Sequence, residues 1–304
     1  MNTDKISYLI EAVESGTFTA AAEKLGVTQS GLNRQISSLE EELKTTLIVR
    51  SRKGVRLARG TEKIYARLKA ICRQESILRE ELAEFHGVLC GELVIGAYYS
   101  AAVSWLPKVV KEFSLKHPYV SIKIVDGVDR SLIEKLDGGE LDCAIIANPP
   151  KGYDWYPIIE TEYVVWLPPD HQLKDKKDLK PSDLSDLPMV YPRAHEDTDI
   201  DNFFVVNKLK PIVKFETKGP SSAYAMVAAG LGISVNNLLQ SRSLKGNVLV
   251  RSFSPRKKLE LGILLPPVES ASPAMLAFLA LAQKHRLTLA DQAGETEPVS
   301  YTHL

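Results

Sequence analysis

The segment from Thr28 to Leu43 constrains this chain most. Leu32, Ile36, Leu39 and Leu43 are spaced 4, 3 and 4 apart, which predicts one helix with a buried stripe. Thr28 is a good N-cap for it. The opposite face begins with Gln29, Ser30, Asn33, Arg34 and Ser37, all able to hydrogen-bond and none acidic; Glu40, Glu41 and Glu42 follow only at the far end. Upstream, Ile6, Leu9, Ile10 and Val13 predict a first helix ended by Gly16. Thr17 caps a short second one, Phe18 to Leu25, with a small face of Ala20, Ala21 and Ala22. Gly26 and Val27 make the turn between the second and third. Beyond the third, Leu47 to Arg50 and Val55 to Leu57 are short β-prone runs around Ser51-Arg52-Lys53-Gly54, a hairpin with a basic tip. Two helices joined at a tight turn, a polar leading edge on the second and a basic wing make a winged helix-turn-helix.

Charge supports a polyanion partner for this region. The chain has 304 residues and equal numbers of basic and acidic side chains, 38 of each, which argues against a uniformly basic nucleic-acid coat. The balance hides a split. Residues 50 to 69 carry eight basic side chains and one acidic, net +7, whereas the chain from Val88 onward is net −2. A basic head on a slightly acidic body suggests two modules with different tasks. Base edges are read by Arg on guanine and by Gln or Asn on adenine, and wing cations meet phosphates. A three-helix packing module for another protein is the bland alternative; it leaves the basic wing unexplained.

The run from Ser15 to Leu43, SGTFTAAAEKLGVTQSGLNRQISSLEEEL, resembles the N-terminal DNA-binding domain of LysR-type transcriptional regulators without a gap. The order of everything downstream fits the same family, so the resemblance covers nearly the whole chain. It implies double-stranded DNA with an inverted-repeat operator as partner. The DNA-contacting set is then Thr19, Thr28, Gln29, Ser30, Asn33, Arg34, Ser37, Arg50, Arg52 and Lys53. The chain departs from the family at Ile48, where an aromatic is usual, at Asn33, where a serine is, and at Ala58-Arg59-Gly60-Thr61. Gly31 inside the third helix either costs helix stability or allows close approach to DNA.

From Thr61 onward Ile64, Leu68, Ile71, Glu75, Leu78, Leu82 and Phe85 are spaced alternately 4 and 3, a heptad seam with one polar interruption, closed by His86-Gly87. A helix packed on its own domain gives a similar stripe; the strict spacing favours a partner helix. In the resembling family this helix dimerises, which assigns Ile64, Leu68, Ile71, Leu78 and Leu82 to a dimer contact and implies a homodimer, commonly a tetramer. RNA polymerase is a further candidate partner.

The remainder alternates strand and helix. Glu92 to Ala97, Val120 to Val125 and Cys143 to Ala147 are predicted strands, with helices Pro107 to Lys116 and Arg130 to Asp137 between them, an order that implies a parallel sheet. A second lobe begins at the strand Tyr163 to Leu167. Its further strands are Met189 to Tyr191, Ile212 to Glu216, Ile233 to Val235 and Val248 to Phe253, and its helices Asp199 to Asn207 and Ala223 to Ala229. Leu259 to Leu265 returns to the first lobe and Ala274 to His285 closes it. Two lobes crossed by two strands resemble periplasmic binding proteins and the LysR-type effector domain; Val227 to Ile233 is close to the family pattern, with Asn236-Asn237 in place of the usual Leu-Pro.

The fold class is therefore α/β: an N-terminal winged helix-turn-helix (1–58), a long linker helix (59–87) and a two-lobed periplasmic-binding-protein-like effector domain (88–297), lobe I about 91–161 and 267–290 and lobe II about 162–266. Residues 298–304 resemble translated adaptor sequence and are set aside as non-native. No GxSxG, HExxH, P-loop or GxGxxG signature is present, and the chain reads as no enzyme with no cofactor. His195-Glu196-Asp197 with Asp199 reads as a solvated loop rather than a metal site, for lack of a second histidine at ligand spacing. Cys72, Cys90 and Cys143 form no CxxC pair and suit a reducing compartment. No signal-peptide core or membrane-length apolar run occurs, so the expected location is cytoplasmic.

The effector is expected to be a small anion, a carboxylate by preference, bound between the lobes. Ser100, and Ser221 with Ser222, stand at strand-to-helix transitions, where helix N-termini suit anions. Tyr99 and Ala101 beside Ser100, Asn148 after the third strand and Arg193 after a second-lobe strand complete the expected lining. Serines that only cap helices, and a Tyr98-Tyr99 pair that only packs a strand end, are the alternatives at the same residues.

Overall fold

A computed structural model of the chain describes residues 2–51, 54–192, 198–244, 246–267 and 271–294, without the side chains of 292–294. Arg52, Lys53, Arg193 and the 195–197 run lie outside the described residues, as does the 298–304 tail. The chain divides into two units: residues 1–91 with 137–140, and the remainder.

Local capping sets the first unit. Three helices, α1 (Thr3–Glu14), α2 (Phe18–Leu25) and α3 (Gln29–Leu43), begin at Asn2, Thr17 and Thr28, each of whose side chains accepts a backbone N–H of the first turn. Gly26 takes φ +65° to end α2. Ile6, Leu9, Ala12, Ala21, Leu32, Ile36 and Leu39 are fully buried together, with Ala22, Leu47, Ile48 and Val55 beside them. Ala21 and Ala22 are thus the part of α2 that its neighbours approach, while Ala20, expected on the same small face, is exposed. Gly31 has a definite local reason: a Cβ there would stand 2.9 Å from the Thr28 hydroxyl, which accepts the Gly31 N–H at 3.1 Å. The missing side chain makes room for the cap.

The wing is β1 (Ile48–Ser51) paired antiparallel with β2 (Gly54–Leu57). Glu40 anchors its start, since the Leu47 and Ile48 amides donate to its carboxylate at 2.7 and 3.1 Å. The Val55 amide donates to the Gly16 carbonyl at 2.7 Å, which seats the wing on the turn between α1 and α2. Gly54 there has φ +116°, and a Cβ would lie 2.2 Å from the Gly16 oxygen. Gly54→Ala is accordingly expected to lose about 1–3 kcal/mol of stability, read by urea unfolding; unchanged unfolding would show that the wing is not seated this way.

Helix α4 (Glu62–Phe85) has 24 residues, about 36 Å at 1.5 Å per residue. Its seam does not stay on one side of the packing. Leu68, expected in a dimer contact, is buried in the core of the first unit with Tyr65. Ile64, Ile71, Leu78, Leu82 and Phe85 remain exposed, Phe85 by 86%. On another face Ile77 and Glu80 are buried; the Glu80 carboxylate accepts from Arg73 and from the Ser76 hydroxyl, both at 3.2 Å. One helix therefore serves its own unit through one stripe and leaves another open.

The second unit is built on an eight-stranded sheet. Its strands are β3 (Gly91–Tyr98), β4 (Val120–Gly127), β5 (Cys143–Ile146), β6 (Asp154–Leu167), β7 (Asp178–Leu179), β10 (Ser234–Asn237), β11 (Leu249–Phe253) and β12 (Lys258–Leu265), in the order β4-β3-β5-β12-β6-β11-β7 with β10 also on β6. The β3–β5 pair is parallel as expected, and β12 joins β5 antiparallel. The expected start of a second-lobe strand at Tyr163 is corrected: β6 is one strand of 14 residues. Its first part pairs with β12 and its last residues with β10 and β11, so it passes through both lobes. Pro157 concealed this continuity. It lies opposite Gly262, at a shift of register between Leu261 and Gly262, where a missing N–H is tolerated.

Strands β8 (Pro188–Pro192) and β9 (Ile212–Thr217) form a separate parallel pair. Around these sheets pack α5 (Tyr99–Ser104), α6 (Leu106–Lys116), α7 (Asp129–Asp137), α8 (Asp199–Val206), α9 (Pro220–Ala228), α10 (Leu238–Ser243) and α11 (Pro273–Lys284), followed by a short α12 (Leu289–Gly294). Phe113 of α6 meets Phe278 of α11 edge-on at 5.6 Å. In the other lobe Trp166, Val164, Val190, Ala223 and Val227 form a core with Tyr224. Among the described residues no helix is long and apolar enough to cross a membrane.

Candidate functional site

On the first unit, α3 offers a face for a nucleic acid. Thr28, Gln29, Ser30 and Arg34 are exposed, and so is Thr19 on α2. Asn33 and Ser37 are half-buried. Among the described residues the Asn33 amide oxygen has no hydrogen-bond partner, whereas Ser37 accepts from Arg50 at 3.1 Å. Arg50 also lies 3.5 Å from the Glu40 carboxylate and over the Phe18 ring at 5.5 Å. Ser37 and Arg50, both expected to contact DNA, thus hold the wing to α3, with part of the Arg50 charge met inside the unit. Arg34 stands exposed on the open leading edge beside Gln29 and Ser30. A planar five-donor guanidinium on a protruding helix start is the geometry that base edges or phosphates require.

In the second unit a cavity of about 210 Å³ opens where the two lobes meet. Tyr98, Tyr99 and Ser100 line it from the end of β3 and the start of α5, and Asp126, Gly127 and Val128 from the end of β4. Pro192, Thr198, Asp199 and Ile200 come from the second lobe at β8 and α8, Gly219, Pro220 and Ser221 from the start of α9, and Asn236, Asn237 and Gln240 from β10 and α10. These are strand ends and helix starts, the usual place for a ligand in an α/β sheet.

The expected lining is partly brought together. Tyr99, Ser100 and Ser221 line the cavity, and the Tyr99 and Ser221 hydroxyls share a hydrogen bond of 3.3 Å. Ser100 lies where β3 passes into α5, in the first turn of that helix; it is almost fully buried, and its hydroxyl accepts from the Asn237 amide at 3.3 Å. Ala101 is fully buried and does not line the cavity. Ser222 is exposed, also off the cavity, because α9 starts at Pro220 and turns it outward. Asn148 is diverted: its side-chain amide donates to Asp129 at 2.9 Å, while the Ala147 and Asn148 backbone amides donate to the same carboxylate at 3.1 and 3.2 Å. Asn148 therefore pins the end of β5 to the start of α7. Arg193 lies outside the described residues.

The electrostatics run against the expected anion. Among the described lining residues there is no Lys, Arg or His, and there are two carboxylates, Asp126 and Asp199. Asp199 is buried at the start of α8. Burial, then the neighbouring Asp129 charge, pushes its pKa up to about 7. Burial also raises Asp129, against the amides that donate to it. The sequence reading placed Asp199 at the start of a helix but missed its part in the cavity, because its carboxylate was grouped with the solvated run His195-Glu196-Asp197. It passed over Asn236 and Asn237, although the departure from Leu-Pro was the signal. Asn237 ends β10 and caps α10, accepting the Gln240 N–H at 2.9 Å, a helix that periodicity did not reveal.

Comparison with known proteins gives matches to both units. Residues 3–60 match the family described as "Bacterial regulatory helix-turn-helix protein, lysR family", and residues 86–286 the "LysR substrate binding domain". The HTH-type transcriptional regulator IlvY of Escherichia coli is 27% identical over 297 residues, 94% of this chain and all of that protein. Full-length OxyR from Pseudomonas aeruginosa superposes with a TM-score of 0.76 at 25% identity, covering 94% of this chain and 95% of the other. Full-length CbnR complexed with its target DNA shares the fold, with a TM-score of 0.66, 18% identity, and coverage of 94% and 100%.

Proposed function

Because the chain belongs to the LysR family of DNA-binding transcriptional regulators, we propose that its first unit reads an inverted-repeat operator in double-stranded DNA as a homodimer, and that a small molecule in the cavity of the second unit sets its activity. Two heads on paired α4 rods would meet two half-sites. Further pairing to a tetramer and contact with RNA polymerase belong to the same reading, and the site of action is where the DNA is, the cytoplasm.

The observation that carries this reading is the capped, open leading edge of α3, with Thr28, Gln29, Ser30 and Arg34 exposed and the acidic residues confined to its far end. The test begins with an operator selected from a random duplex pool. Arg34→Ala is expected to weaken binding to it roughly tenfold or more, since losing a bidentate base contact costs about 1–3 kcal/mol. Binding to unrelated duplexes should change less. Arg52→Ala and Lys53→Ala are expected instead to weaken all duplexes alike and to flatten the salt dependence. Unchanged operator affinity in Arg34→Ala would remove α3 as the reading element.

A further inference from the structure

We propose that the cavity of the second unit binds its ligand through a cationic nitrogen, an ammonium or guanidinium group, seated between Asp199 and Asn236; this rests on the reading of that cavity as the effector site. Two independent features of the wall point to a donor. The first is charge: Asp199 is 5% exposed, and neither it nor Asp126 has a basic residue beside it among the described lining. A buried carboxylate without a counter-charge is costly, and an anionic ligand would add to that cost. The second is an unmet acceptor. Asn236 is 1% exposed, its side-chain nitrogen donates to the Ser234 hydroxyl at 2.9 Å, and its side-chain oxygen receives nothing from the described residues. Buried polar atoms in folded proteins are nearly always paired. A protonated amine supplies several N–H donors at once, together with the positive charge that the described lining lacks.

The cavity is smaller than the roughly 300–1,000 Å³ of drug-sized pockets, so the ligand is small. The start of α9 lines another part of the cavity wall with no side-chain cap, next to the Tyr99 and Ser221 hydroxyls. That wall takes a hydroxyl or carboxylate of the same molecule. A simple amine and an amino acid therefore share the nitrogen and differ only there.

Protonation gives the inference its own signature. The groups facing the Asp199 carboxyl are Asp129 of α7, Asp201 of its own helix, Tyr98 of β3 and Tyr163 of β6. The tyrosines, raised by burial, stay neutral, and Asp129 adds negative charge. With the Asp199 pKa at about 7 in the free protein, a cation must displace its proton below that pH and finds it ionised above. Affinity is expected to fall by about tenfold per pH unit on going below neutrality and to level off above it.

The experiment uses the full-length protein, with thermal shift and calorimetry, and four probes at millimolar concentration and matched ionic strength: putrescine, agmatine, 4-aminobutyrate and succinate. The first three are expected to stabilise and bind, and succinate is not. Preference for 4-aminobutyrate over putrescine identifies an amino acid; the reverse identifies a simple amine. Asp199→Asn is expected to weaken amine binding by roughly tenfold or more and to abolish its pH dependence. Should that variant fail to fold, Asn236→Ala serves, with the same loss and the pH dependence retained. Ser221→Trp, which narrows the cavity from an exposed position, is expected to block every probe that binds there. Succinate binding blocked by Ser221→Trp, with no amine binding, overturns the cation and leaves the effector cavity standing. Amine binding indifferent to Ser221→Trp places the site elsewhere and overturns both. No response to any amine overturns the cation.

Discussion

Replacing Leu78 and Leu82 together by aspartate is expected to convert the protein from dimer to monomer in sedimentation. The same change should weaken operator binding by about 10²–10⁴-fold, the gain that linking two binding modules gives. The two leucines are each 54% exposed on α4, in line with Ile64, Ile71 and Phe85, which are exposed too. An apolar stripe of this length along a helix of 24 residues is costly in water, and a second copy of itself would cover it at the heptad spacing. Aspartates there would have to be buried without partners. Neither residue belongs to the core of the first unit, so the monomer should keep its helical circular dichroism. Glu84→Gln, on the same helix, is the control. A double variant that remains dimeric would remove this stripe as the dimer contact; the buried Leu68 is no test of it.

Trp166→Ala is expected to lose about 3–5 kcal/mol of stability in the second unit, a large part of the 5–15 kcal/mol that a folded domain commands. Trp166 is fully buried on β6. Its ring meets Tyr224 of α9 edge-on at 5.1 Å, and its indole N–H donates to the Ser241 hydroxyl of α10 at 2.6 Å. The substitution would open a cavity beneath the two helices that start at the ligand wall and take a donor from the Ser241 hydroxyl, which keeps its own bond to the Asn237 carbonyl at 3.1 Å. Chemical unfolding followed by near-ultraviolet circular dichroism reads the loss, and the exposed Val205→Ala should move it by no more than about 0.5 kcal/mol. A change that small in Trp166→Ala would mean that this lobe relaxes around the space.

The same packing explains what could be read from the chain and what could not. Local signals identified the three short helices, the wing and the long helix, because caps, turn glycines and apolar spacing act within a few residues. Thr17, Thr28, Gly26 and Leu32-Ile36-Leu39 each act this way. The family of the chain was legible in the run from Ser15 to Leu43 for the same reason. What tertiary structure alone decided depends on neighbours distant in sequence. Leu68 and Leu78 have the same pattern on one helix, yet Leu68 is covered by its own unit and Leu78 is not. Pro157 stays within a continuous strand because Gly262, more than a hundred residues later, meets it at a register shift. Asn148 was drawn away from the cavity by Asp129, while Asp199, Asn236 and Ser100 were brought to it from three separate segments. The two carboxylates among its described lining residues came together through this assembly, because burial and the company of other carboxylates are properties of the folded chain that no local pattern encodes.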